Sequence, residues 1–173
     1  FPMTYGIASY DANIIGSFYN LHSQPSTATT TTGNLTAVNP IMSLGYRLPL
    51  ATSILDRLVV IEPQAKLVHV AGEDNTDKIP NRDAADYRID EANLFLLNRY
   101  QGKDYILPGS RMDVGVSAIT QDAVLGEISG FAGVSRRLSS QRTTGLSINS
   151  DDIYSDYVAS ASIDPPGAYK VTW

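Results

Sequence analysis

The chain contains no cysteine. That excludes a disulfide framework and any thiolate metal site within this stretch, and leaves the redox compartment open. Positive charge is scarce: thirteen Lys and Arg stand against eighteen Asp and Glu, for a net charge of −5. Binding to a phosphate backbone is therefore disfavoured, and no nucleic-acid partner is expected. No apolar run approaches the roughly 20 residues that a transmembrane helix needs. Helical periodicity is nearly absent, so the chain is either soluble or crosses a membrane as strands. The two histidines, His22 and His69, lie far apart and have no metal-ligand spacing around them, so each reads as a loop or strand-end residue. No GxSxG, P-loop or GxGxxG is present, so neither an enzyme nor a cofactor is expected. The acidic clusters Glu73-Asp74-Asn75-Thr76-Asp77 and Asp151-Asp152 lack the Gly and closing Glu of a calcium loop, and read as solvated acidic loops.

What the sequence does have is alternation of period two, in seven segments. Ala8, Tyr10, Ala12, Ile14, Gly16 and Phe18 alternate with Ser9, Asp11, Asn13, Ile15 and Ser17. Val38, Pro40, Met42, Leu44, Tyr46 and Leu48 oppose Asn39, Ser43, Gly45 and Arg47, with Ile41 the exception. Val59, Ile61, Pro63, Ala65 and Leu67 alternate with Glu62, Gln64 and Lys66. Met112, Val114, Val116 and Ala118 alternate with Arg111, Asp113, Gly115 and Ser117. In the fifth segment Ile128, Gly130, Ala132 and Val134 oppose Glu127, Ser129, Ser135 and Arg137, while Phe131 falls on the polar side. The last two set Tyr157, Ala159, Ala161 and Ile163, then Tyr169, Val171 and Trp173, against polar neighbours.

The connections alternate in length. Residues 21–34, 71–109 and 139–155 read as long links, and 49–56, 120–125 and 164–167 as short turns, the last carrying Asp-Pro-Pro-Gly. Short turns at one side and long loops at the other are the habit of an outer-membrane β-barrel. Tyr10, Tyr46, Tyr157 and Tyr169 near strand ends suit an interfacial girdle. The 173 residues are compatible with one domain. They open on Phe1-Pro2 and stop inside an alternating run, so both ends read as truncations. The expected fold is all-β: an antiparallel transmembrane β-barrel segment of about 6–8 strands from a larger barrel, with one long extracellular loop. Apolar sets would face lipid. Glu62, Gln64, Lys66, Arg111, Asp113, Glu127 and Arg137 would face the lumen. A soluble β-sandwich alternates in the same way and stands as the alternative.

Inside the longest link lies Ile79-Pro80-Asn81-Arg82-Asp83, then Asp90-Glu91-Ala92-Asn93-Leu94-Phe95-Leu96-Leu97-Asn98-Arg99-Tyr100-Gln101-Gly102-Lys103-Asp104. This resembles a signature of LptD, the lipopolysaccharide-assembly outer-membrane family also called organic solvent tolerance protein, and looks most like its alphaproteobacterial branch. The matching positions are Pro80, Asn81, Asp83, Asp90, Glu91, Asn93, Leu94, Phe95, Asn98, Arg99, Gly102 and Asp104. Ala84 and Tyr105 depart from the pattern, which has Ser and Arg there. The flanking runs Arg57–Val68 and Gly109–Ala118 agree, and the resemblance covers roughly residues 45–173.

The resemblance implies a partial barrel domain over 1–173, without the family's N-terminal jelly-roll. It implies insertion of lipopolysaccharide into the outer leaflet of a Gram-negative outer membrane. The implied partners are lipopolysaccharide, an LptE-like plug lipoprotein and an LptA-like periplasmic bridge. Another large outer-membrane barrel (a porin or receptor) and a soluble glycan-binding sandwich are the competing functions. Within the motif, Leu94, Phe95 and Leu97 are expected to form a small apolar core that holds the loop over the lumen. Arg99 is expected to pair with Asp90, Asp104 or a lumen carboxylate such as Glu62.

Overall fold

The computed structural model describes residues 2–3, 5–25, 30–72, 89–99, 106, 108–139, 157–166 and 171–172. Among these there is no helix. The strands are β1 (Pro2–Met3), β2 (Gly6–Pro25), β3 (Thr30–Arg47), β4 (Leu50–Ile54), β5 (Arg57–Val70), β6 (Gly109–Asp122), β7 (Gly126–Arg137), β8 (Val158–Asp164) and β9 (Val171–Thr172). They form one antiparallel sheet in the order β1-β2-β3-β5-β6-β7-β8-β9, with β4 paired to β5. Each strand lies beside its neighbour in sequence, so the sheet is a meander. The first six alternating segments lie on it, and of the seventh Val171 and Thr172 do, while Tyr169 and Trp173 lie outside the described residues.

Two expected connections differ. Residues 49–56 are not a loop. β3 and β4 lie along β5 in one alignment, Arg47 opposite Gln64 and Leu50 opposite Ile61, and are in effect a single strand. The ladder is thinned between them because Pro49 and Pro63 lack an N–H. Leu48 N–H still donates to Pro63 O at 3.0 Å. The turn itself is only Leu55-Asp56, at φ 51° and 61°, with Ile54 and Arg57 as the closing pair. Positive φ at both central positions matches the right-handed twist of the flanking strands. Much of the expected long link 21–34 is also strand, and residues 26–29 lie outside the described residues. β2 runs to Pro25 and β3 starts at Thr30, with Pro25 opposite Thr30 and a register shift between Leu21 and Gln24. Thr30 and Thr31 continue the ladder opposite Pro25 and Gln24, as suits a residue type that favours an extended backbone.

At the other short connection, Asp122 Oδ1 accepts from Val124 N at 2.7 Å and Leu125 N at 2.8 Å. The same carboxylate pairs with Arg57, which ties the 123–125 turn to the start of β5. Gly126 follows at φ 73°, where a Cβ would collide with Asp164 O.

Register assigns the two faces. One carries Tyr10, Ile14, Phe18, Val38, Met42, Leu44, Tyr46, Leu67, Val114 and Val116, all exposed. Ile14 is 75% and Phe18 68% exposed. The other face carries Glu62, Gln64, Lys66, Arg111, Asp113, Glu127 and Arg137 together. Burial follows the face of the sheet and not the residue type. The polar face holds the buried residues Asn39, Ser43, Asp113 and Ser135, and among the described residues nothing covers the apolar face. A sandwich would bury the opposite side.

Candidate functional site

Residues 89–99 lie on the polar face. Their local form is a tight turn built by one reciprocal pair. Asp90 N–H donates to Asn93 Oδ1 and Asn93 N–H to Asp90 Oδ1, both at 2.9 Å. Leu94 N–H donates to Asp90 O at 3.0 Å and Leu96 N–H to Asn93 O at 3.1 Å. This is the logic of a capping box, in which two side chains satisfy each other's backbone donors. It leaves Asp90 and Glu91 exposed and drives Leu94 inward, to 0% exposure.

Leu94 does not enter a core of the loop's own, as the sequence suggested. It packs on Phe131 and Val158 of the sheet, with Ile89 and Phe95 alongside. Phe95 meets Phe131 edge-on, with ring centroids 6.2 Å apart and planes at 83°, a favoured aromatic geometry. The floor of this seat is a pair of glycines, Gly115 opposite Gly133. A Cβ on Gly133 would stand 2.5 Å from Leu94 Cδ2, and one on Gly115 would stand 2.9 Å from Phe131. Glycine is required here for close approach, not for backbone freedom. Leu97 reaches a second seat, formed by Ile41, Val68, Val70 and Ile106, to which Ile15 also contributes.

Between the two seats lies a charged clamp. Arg99 Nη2 donates to Asp113 Oδ1 and, at 2.8 Å, to Ser135 Oγ. Arg99 also binds Leu94 O through Nε at 3.2 Å and Nη2 at 2.9 Å. Ser135 Oγ donates to Asp113 Oδ1 at 2.6 Å. Arg111 holds the second carboxylate oxygen of Asp113 at 3.2 Å and donates to Leu97 O at 3.0 Å and to Leu96 O. The Asp113 side chain is 0% exposed and that of Arg99 7%. A carboxylate this buried needs its lone pairs filled, and here two guanidinium groups and a hydroxyl fill them. The partner of Arg99 is thus Asp113, not Asp90 and not Glu62, which pairs instead with Arg47 at 3.6 Å. Asp90 is engaged with Asn93.

At the far end Glu91 accepts from Ser160 Oγ, and Asn98 is half-buried. Lys66 stands opposite Asp113 in register, but its ion pair is with Asp11, at 3.5 Å. Asp11 also accepts from Ser43 at 2.7 Å. His69, near the end of β5, bonds Ser110 on the apolar side through Nδ1 at 2.8 Å. Pro80, Asn81, Asp83, Gly102 and Asp104 lie outside the described residues. Among the described residues no group of His, Asp and Glu could hold a metal ion.

Sequence reasoning missed the receiving half of the site: Gly115, Gly133, Ser135, Phe131 and Val158. The signal for part of it was present. Ile41 and Phe131 break the alternation of their strands, and each proves to be a seat for the loop.

The family described as "LptD: LPS transport system D" matches this sequence over residues 1–172. The match includes the first strand pair, where the loop signature gives no information. No curated protein matches the chain.

Proposed function

The chain belongs to the LptD family of lipopolysaccharide transport, and from that premise we propose that its sheet is part of the wall of a transmembrane β-barrel in a Gram-negative outer membrane. The bare apolar face meets lipid and the polar face lines the lumen. The observation that carries this reading is which face is covered: the face bearing Asn39, Ser43, Asp113 and Ser135 is buried, while the face bearing Ile14, Phe18, Met42 and Leu44 is bare. On β2 the apolar set runs from Ala8 to Phe18 and gives way to Asn20, which bonds Asn34 at 2.9 Å. Ten residue steps are about 34 Å along a strand. At a barrel tilt of about 40° that gives a height near the roughly 25 Å apolar band of such barrels.

In the complete protein the links within 21–34, 71–109 and 139–155 face outward from the cell, and the turns within 49–56, 120–125 and 164–167 face the periplasm. The barrel inserts lipopolysaccharide into the outer leaflet, with an LptE-like plug lipoprotein in the lumen and an LptA-like bridge delivering substrate. It does so without covalent chemistry. Residues 89–99, with Asp90, Asn93, Phe95, Asn98 and Arg99 among them, narrow the lumen and keep the wide barrel from leaking. A general porin shares such a wall, but the family match favours lipopolysaccharide as the cargo.

The decisive experiment is depletion of the full-length protein in its host, with surface lipopolysaccharide as the readout. Surface lipopolysaccharide falls on depletion if the reading holds. A normal surface removes it. Orientation is tested by single cysteines in whole cells: a thiol reagent that cannot cross the membrane labels Leu138→Cys and not Ala123→Cys. The reverse pattern inverts the topology.

A further inference from the structure

We propose that residues 89–99 are a fixed strap across five adjacent lines of the sheet, and not a lid that lifts during transport. The observations lie along the segment's length. Glu91 is held by Ser160 of β8. Leu94 sits on Phe131 of β7 and Val158 of β8, over the glycine floor of β6 and β7. Arg99 is fastened to Asp113 of β6 and Ser135 of β7. Leu97 packs against the cluster formed by Ile41 of β3, Val68 and Val70 of β5, and Ile106.

A lid needs a hinge and one surface that parts from another. This segment is fastened at both ends and in the middle, to elements that pair with one another and not with a moving body. Lifting it would uncover Phe131 and Val158 and would draw Leu97 off the cluster of Ile41, Val68, Val70 and Ile106. It would also strip Arg99 from a carboxylate that has no exposure. Arg111 adds a further tie, because it reaches up from β6 to the carbonyls of Leu96 and Leu97. The strap therefore fixes the curvature of β3 and β5–β8 as one plate. Any motion that admits the transported lipid takes place elsewhere in the barrel.

Two measurements on the full-length barrel test this. The first is hydrogen–deuterium exchange of the wild-type protein in lipid discs, with and without lipopolysaccharide supplied. The amides of Asn93, Leu94 and Leu96 are expected to exchange within about tenfold of those of β6 and β7, and to be unchanged by lipopolysaccharide. A hundredfold faster exchange, or an increase on adding lipopolysaccharide, overturns the strap. The second joins Glu91→Cys to Ser160→Cys with a short cleavable thiol cross-linker and follows surface lipopolysaccharide. Delivery at the rate of the unlinked double variant supports the strap. Loss of delivery that returns when the linker is cleaved shows a lid. This second arm rests on the proposed transport. If the unlinked variant and the wild type both fail to deliver, the transport reading fails, and the exchange measurement still decides the strap.

Discussion

Two aspartates on the same face of the same sheet illustrate what the strap does. Asp11 and Asp113 both point to the polar side, and each has a basic partner and a serine. Asp11 lies on β2, clear of residues 89–99. Its side chain is 43% exposed and its lysine stands 3.5 Å away. Asp113 lies beneath the segment, fully buried between two arginines. Water screens the first pair, which therefore contributes little. The second pair is shielded, so each of its groups depends on the others remaining in place. Residue type and face are the same, and what lies above the residue decides its energetic weight.

The largest expected effect breaks the buried member of this comparison. Asp113→Asn leaves Arg99 and Arg111 without their anion in a dry site, at a cost of about 3–5 kcal/mol. Measured as loss of the compact, faster-migrating species on unboiled gels, the barrel should unfold at markedly lower temperature or denaturant concentration. Leu94→Ala comes next. It opens a cavity over Gly133 and costs about 2–5 kcal/mol, whereas Ile14→Ala on the bare face should change denaturant midpoints much less. The accompanying phenotype is entry of large antibiotics and detergents. It is expected equally for Phe95→Ala and Arg99→Ala, with protein level largely kept.

The turn offers a control remote from both aspartates in register. Leu55→Asn with Asp56→Gly relieves two left-handed residues and should stabilise by about 1 kcal/mol, leaving the difference between Asp11 and Asp113 intact. Smallest is Asp11→Asn, at about 0–1 kcal/mol and diminishing with added salt. If Asp11→Asn matches Asp113→Asn, burial beneath the strap is not what separates them.

Much of this arrangement is legible in the sequence, because side-chain direction in a strand depends only on parity. Glu62, Lys66, Arg111, Asp113 and Arg137 could be assigned to one face without coordinates. Pairing across long separations is not legible in that way. Nothing local to Arg99 indicates Asp113, fourteen residues on, and the intervening chain hides the distance. Glycines 115 and 133 read as weak strand residues until something is seen to press on them. Pro49 and the threonines at 30–32 mislead for the opposite reason. Their local preferences suggest turns and loops, and ladder pairing with β5 and β2 overrides them. The informative local irregularities were Ile41 and Phe131, apolar residues among polar neighbours that mark where a second layer rests.

The meander has a further consequence, for order in time. Each strand pairs with the one made just before it, so the sheet can grow hairpin by hairpin with little loop closure to offset. Residues 89–99 do not share that economy. They precede β6, β7 and β8 in the chain yet need Asp113, Ser135, Phe131 and Val158 beneath them. During biogenesis Leu94 and Phe95 must therefore wait, apolar and uncovered, until three later strands have joined the sheet. That interval is when the growing sheet is most open to misassociation, and its end, the seating of Arg99 on Asp113, marks completion of this part of the sheet.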